Sequence, residues 1–141
     1  MRLARMGFVL FAGALLALDV TGLAQAKPEE KAQRSDKAWL ALTDTGKYAE
    51  SWKAASAAFQ AGVSEEKWES ALQQVRSPLG KVETRKLKGA AYSKTLPGAP
   101  DGAYVVIQYE TSFEHKQAAV ETVTASLEKD GAWRVVGYFI K

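Results

Sequence analysis

Residues 103–113, AYVVIQYETSF, contain the clearest strand pattern in the sequence. Their apolar side chains recur at nearly every second position, a spacing typical of a β-strand with one buried face. The side chains predicted on that face are Ala103, Val105, Ile107, Tyr109 and Phe113. A strand that is buried on one face needs neighbouring strands and a second layer to cover it.

Three more strands are predicted, at residues 81–92, 119–129 and 132–140. Asp130-Gly131 lies between the last two, and this pair predicts a two-residue hairpin turn. Consecutive strands with short connections favour an antiparallel sheet.

The first predicted strand is rich in basic side chains and poor in large apolar ones. Lysines are typical of the edge of a sheet, where they oppose sheet-to-sheet aggregation. The charges could also bind an anionic polymer, but no aromatic side chains are interleaved with them for stacking on bases. The basic residues are Lys81, Arg85, Lys86 and Lys88.

Before residue 80 the apolar spacing is helical. Ser35 and Asp36 predict a helix start, and the charged residues 27–34 before it predict a flexible lead. A second apolar face could belong to a separate helix or to a kinked continuation of the first; it contains Tyr48, Trp52, Ala55 and Phe59. Ser64 predicts the cap of a further helix, whose expected buried stripe is Trp68, Leu72, Val75 and Leu79.

Helices followed by strands indicate an α+β domain over residues 35–141, with two to three amino-terminal helices packed on a curved four-stranded antiparallel sheet. Strands and helices do not alternate, and no glycine-rich phosphate loop is present. Doubly wound nucleotide-binding folds are therefore not expected.

Residues 1–26 have the pattern of a cleavable signal peptide. Arg2 and Arg5 precede an uncharged apolar run over residues 6–18, and Ala24-Gln25-Ala26 has the small-x-small form of a cleavage site. The run is shorter than the roughly 20 residues of a membrane-spanning helix. We therefore expect cleavage after Ala26 and a periplasmic or secreted product with no membrane anchor.

The composition excludes several classes of site. The chain has no cysteine and one histidine, so neither a disulfide framework nor a common zinc site is expected, and no cofactor is implied. Its formal net charge of +3 is close to balanced, so nucleic acid is not an expected partner.

Several short motifs together resemble the family called domain of unknown function 4019. They are Gly46-Lys47-Tyr48, Ser51-Trp52, Leu96-Pro97-Gly98, Ser112-Phe113, Glu121-Thr122-Val123, Asp130-Gly131-Ala132-Trp133-Arg134-Val135 and Gly137-Tyr138. The resemblance implies a small exported bacterial protein and no assigned catalytic residues. The order of elements is also similar to cystatin-like and nuclear-transport-factor-2-like domains, which implies a cone-shaped pocket between helix and sheet.

Four residues are candidate ligand-binding residues: Glu121, Tyr109, Trp52 and His115. Alternation places Glu121 on the apolar side of its strand, where burial would raise its pKa. It could instead be solvated or paired with a basic neighbour. His115 has a suitable ordinary pKa for acid–base work, but a single histidine in a charged loop is more often simply solvated.

These features favour a non-enzymatic binding or interaction module of the cell envelope, which holds a small apolar ligand or a protein partner. The alternative is a pocket enzyme of the isomerase or hydrolase type. In that alternative Glu121 acts as general acid or base, and Tyr109 or His115 assists.

Overall fold

The computed structural model describes residues 26–141, so the predicted signal peptide lies outside the described residues apart from Ala26. An amino-terminal helical layer precedes an open sheet. The helical elements are α1 (Pro28–Asp44), α2 (Tyr48–Ala54), α3 (Ala57–Gly62), α4 (Glu65–Arg76) and a 3-10 turn (Ser77–Leu79). Among residues 26–141, no helix has the length and apolar character needed to cross a membrane.

Helix α1 begins at Pro28, seven residues before the predicted start at Ser35. Proline is favoured in the first helical turn, where its missing N–H costs no hydrogen bond. Glu29 and Glu30 follow it and complement the positive end of the helix dipole. Residues 28–34, predicted as a flexible lead, therefore form the first two turns of α1, and Ala32 among them is fully buried.

The predicted second helix is interrupted after Ala54. The Ser56 backbone N–H donates to the carbonyl of Val135, 2.8 Å away. The Ser56 hydroxyl accepts from the N–H of Phe59 at 3.1 Å and caps α3. The apolar face from Tyr48 to Phe59 is thus divided between two short helices, both separate from α1.

Ser64 caps α4 as predicted. Its buried stripe is Trp68, Leu72 and Arg76, at a constant spacing of four residues. Val75, predicted in the stripe, is 47 % exposed. The structure buries Arg76 instead of Val75, because the guanidinium of Arg76 donates hydrogen bonds to Thr43 and Asp44.

The sheet is four-stranded and antiparallel, in the order β1-β2-β3-β4. This confirms the α+β class, and β1 lies at an edge as predicted. The strands are β1 (Val82–Ser93), β2 (Tyr104–Phe113), β3 (Lys116–Leu127) and β4 (Trp133–Ile140).

The connection between β3 and β4 is longer than the predicted two-residue turn, because the last strand pair is Leu127 with Trp133. A two-residue type I′ turn needs positive φ at both central residues. Gly131 has φ of 84°, but no residue other than glycine has positive φ within residues 26–141. Asp130 therefore cannot take the first position of such a turn.

The core lies between α1 and one face of the sheet, called here the inner face. Four of the five side chains predicted on that face are buried, namely Val105, Ile107, Tyr109 and Phe113, whereas Ala103 precedes β2 and is only partly buried. From the helical layer, Trp39, Trp68 and Phe59 meet in tilted and edge-on aromatic contacts. Each large apolar side chain buried in this way contributes about 1.5–3 kcal/mol.

Candidate functional site

Glu121 and Tyr109 lie opposite each other on β3 and β2, so both side chains point to the inner face. Both are buried: Glu121 has no exposed surface and Tyr109 is 2 % exposed. The alternation of β3 correctly predicted this face for Glu121. At the end of the same strand Leu127, predicted on the apolar side, is 44 % exposed.

The Glu121 carboxylate is surrounded by donors. Arg85 Nε donates to Oε1 at 2.8 Å, and its Nη2 donates to Oε2 at 3.3 Å. The Thr111 hydroxyl donates to Oε1 and the Tyr138 hydroxyl to Oε2. Glu121 is therefore paired with a basic neighbour, one of the two alternatives to a ligand-binding role, and the pair lies inside the protein.

Arg85 extends this contact into a charge cluster, defined as Asp44, Arg76, Arg85 and Glu121. Arg85 also donates to both oxygens of Asp44, at 2.8 and 3.0 Å. Arg76 Nη2 donates to Asp44 at 2.9 Å, and Arg76 Nη1 donates to the Thr43 hydroxyl at 3.1 Å. Two carboxylates thus meet two guanidinium groups, and the charges balance.

The pKa of Asp44 reflects this arrangement. Burial would raise it, but hydrogen bonds and charge from Arg85 and Arg76 lower it below its ordinary value. For Tyr138, burial raises the pKa and the neighbouring Glu121 carboxylate raises it further. The two guanidinium groups therefore favour the charged form of Asp44, and Tyr138 keeps its proton.

The charge cluster fastens four elements together. Asp44 ends α1, Arg76 ends α4, and Arg85 and Glu121 lie on β1 and β3. The guanidinium of Arg76 also sits over the ring of Phe113, 5.1 Å from its centroid, in a cation–π contact. The charge cluster is therefore a structural clamp, since its acidic and basic groups are already paired with one another.

A second polar feature lies on the inner face beside the clamp. Asp36 is fully buried, and among residues 26–141 neither of its carboxylate oxygens has a hydrogen-bond partner. The Tyr109 hydroxyl is likewise buried without a partner. Burial raises the pKa of Asp36 to about 8. Burial, followed by the charge of Asp36, raises the pKa of Tyr109.

The sequence predicts Asp36 as part of a helix start, but the structure places it in the core. The sequence feature that indicates burial of Asp36 is its spacing from apolar residues in α1. Ala32, Asp36 and Leu40 are four residues apart, and all three are buried on the same side of the helix.

The other two candidate residues lie elsewhere. Trp52 belongs to α2, and its indole N–H donates to the carbonyl of Val63 at 2.7 Å, so it packs at the edge of the core. His115 lies in the exposed turn between β2 and β3, and its backbone N–H donates to the carbonyl of Leu79. The fold places Glu121 and Tyr109 side by side on the inner face, without a hydrogen bond between them, and leaves Trp52 and His115 on other elements.

A cleft of about 340 Å³ opens where α1, the end of α2 and β4 meet. It is called here the α1–β4 cleft. Its wall is mostly apolar, and Ser35 is its polar member. It is lined by Ser35, Ala38, Trp39, Leu42, Ala54 and Val135.

A larger depression of about 400 Å³ lies on the outer face of the sheet. Its lining is more polar and includes Thr84, Lys86, Glu110, Ser112 and Gln117. Neither Glu121 nor Asp36 lines either cavity. Within residues 26–141, no group of three acidic or histidine side chains is arranged to hold a metal ion.

Comparison with curated proteins finds no match for the chain. A protein family does match it, over residues 35–138, which begins inside α1 and ends at Tyr138 of β4. The matched segment includes both the charge cluster and the α1–β4 cleft. The chain therefore belongs to the family described as protein of unknown function (DUF4019).

Proposed function

We propose that the chain is an exported, non-enzymatic binding module that holds a small apolar ligand in the α1–β4 cleft. The observation that carries this proposal is the cleft itself, which leaves apolar side chains of α1 and α2 uncovered beside the buried Val135. Its volume lies near the lower end of the range of about 300–1,000 Å³ found for ligand pockets. A ligand of this size would be small and compact.

The position of the cleft supports this proposal. Ser35, Ala38 and Leu42 follow one another at helical spacing along the side of α1 that faces β4. Trp39 lies at the base of the cleft with 3 % of its surface exposed, and its indole N–H donates to the Ser51 carbonyl at 2.8 Å, so the ring is fixed in position. A fixed ring can bind an apolar group with little loss of side-chain freedom.

The polar group at the rim is already engaged as well. The Ser35 hydroxyl donates to the backbone carbonyl of Trp133. A ligand therefore meets an apolar wall with few free hydrogen-bonding groups, which favours an apolar compound over a sugar or a nucleotide.

The enzymatic alternative gains no support from the geometry. A general base needs a lone pair that can reach a substrate proton. The Glu121 carboxylate accepts from Arg85, Thr111 and Tyr138 and has no exposed surface. His115, its proposed assistant, lies in an exposed turn and has no hydrogen-bond contact with Glu121.

The proposal is tested by titrating the ¹⁵N-labelled protein with toluene, cyclohexanol and 1-hexanol and following the backbone amide signals by NMR. We expect shifts concentrated at Ala38, Leu42, Ala54 and Val135. The variant Ala38→Phe places a ring in the cleft and should weaken binding at least tenfold. Ala41→Phe is the matched control, because Ala41 is an exposed α1 residue outside the cleft lining.

Equal binding by the two phenylalanine variants would contradict the assignment of the cleft. Absence of saturable shifts with all three compounds in the unmodified protein would contradict the ligand class.

A further inference from the structure

Neither the charge cluster nor the α1–β4 cleft uses the buried carboxyl group of Asp36. It lies in the middle of α1, between the buried residues Ala32 and Leu40. Buried polar groups are nearly always hydrogen-bonded, and a carboxyl without a partner in a core is a marked exception. Such a group is tolerated far better without charge than with charge.

The strands and the helix that pack against α1 offer Asp36 no bonded cation. Arg85 on β1 is committed to Asp44 and Glu121. Tyr109 on β2 has no partner, and Tyr138 on β4 donates to Glu121 on β3. Tyr48 on α2 packs against the same core as a partly buried side chain. The charge of Asp36 is felt by the Tyr109 hydroxyl, and neither carboxylate oxygen of Asp36 is hydrogen-bonded to a guanidinium that would stabilise its negative charge.

We propose that Asp36 makes the packing of α1 on the sheet sensitive to pH. An uncharged Asp36 lets α1 seat on the inner face, and ionisation of Asp36 loosens α1 from it. Helix α1 contributes Trp39 and three other residues of the α1–β4 cleft, so this loosening would also disturb that site. The pH response concerns the fold and does not depend on the cleft having a ligand.

The direction follows from the buried state. Burial raises the pKa of Asp36 from its ordinary value of 3.8 to about 8. A group with a raised pKa in the folded state contributes its full stabilisation below its unfolded pKa and loses it as the pH rises towards the folded value. The folding equilibrium constant should therefore fall by up to about tenfold per pH unit over that interval, relative to a residue that cannot ionise.

The test compares the protein, purified as the cell produces it, with Asp36→Asn and Asp130→Asn in urea unfolding followed by tryptophan fluorescence. Measurements run from pH 4 to pH 9. The free energy of unfolding of Asp36→Asn should increase relative to that of the unmodified protein as the pH rises. The difference should level off above about pH 8. Asp130 is the control, because its hydrogen bond with Arg134 lowers its pKa to about 2, below the range measured.

Parallel profiles for the unmodified protein and Asp36→Asn would overturn the proposal. If Asp36→Asn does not fold, the unmodified protein decides the question through the ¹³C NMR signal of the Asp36 carboxyl carbon. Titration of that signal near pH 8 supports the proposal, and titration near pH 4 overturns it.

Discussion

At the scale of the residue, the clamp at Glu121 explains how a charged side chain can occupy the centre of an apolar sheet face. The cost of removing its water is offset by a guanidinium and two hydroxyl donors. The contact between Arg85 and Glu121 affects stability mainly when only one of the two residues is replaced. A buried charge whose partner has been removed remains in the core without compensation.

Replacing Arg85 by Met should therefore destabilise the protein by about 3–5 kcal/mol, because Glu121 stays buried without its cation. The double variant Arg85→Met/Glu121→Gln should recover much of this loss, since the glutamine keeps hydrogen-bonding capacity towards Thr111 and Tyr138 without a charge. Urea unfolding measures both. Arg134→Met is the matched control, because Arg134 pairs with Asp130 in an exposed bridge and its loss should change stability little.

A double variant no more stable than Arg85→Met alone would contradict this explanation. It would show that the loss of stability comes from the lost packing of Arg85 and not from an uncompensated charge.

The partners of Glu121 could not be predicted at this scale although its face could. Strict alternation from Val82, which faces inward opposite Phe113, would turn Arg85 outward. A bulge between Val82 and Thr84 shifts the register, so that Arg85 pairs with Thr111 on the inner face. The sequence carries no clear signal for such a bulge, and the positions of Asp44 and Arg76 depend on how two helices meet the sheet.

At the scale of the element, the strands and the capped helix α4 follow directly from local patterns. The division of the second helix does not, because it depends on a contact with β4. The backbone of Ser56 pairs with Val135, and this long-range bond interrupts an apolar face that is locally helical. Local spacing thus predicts where helical faces lie more reliably than where one helix ends.

Ser56→Ala should lower the free energy of unfolding by about 0.5–2 kcal/mol, the usual loss for a helix cap. The reason is that the N–H of Phe59 loses its acceptor while Ser56 lies in a fully buried position. Thermal or urea unfolding gives the value. Ser70→Ala is the control, since Ser70 is exposed within α4, and there the better helix-forming residue should leave stability unchanged or slightly higher. Equal effects of the two changes would argue against the capping role.

At the scale of the whole molecule, the α+β class, the edge position of β1 and the family follow from sequence pattern. The location of the proposed binding site does not. The α1–β4 cleft is built from the consecutive helices α1 and α2 and from β4 at the other end of the domain, and its lining side chains form no motif in the sequence. The proposed site therefore lies beside α1 and not on the inner face of the sheet, because the inner face is filled by the core and the clamp.

The measurement that tests the proposed function most directly is native mass spectrometry of the protein purified from the envelope fraction of its own cells. We expect a chain that begins at Lys27 and carries a small apolar compound in the unmodified protein and in Ala41→Phe, but not in Ala38→Phe. A chain that retains Met1 would contradict export. An unmodified protein that carries no compound, or an Ala38→Phe variant that carries the same compound as the unmodified protein, would contradict binding in the cleft.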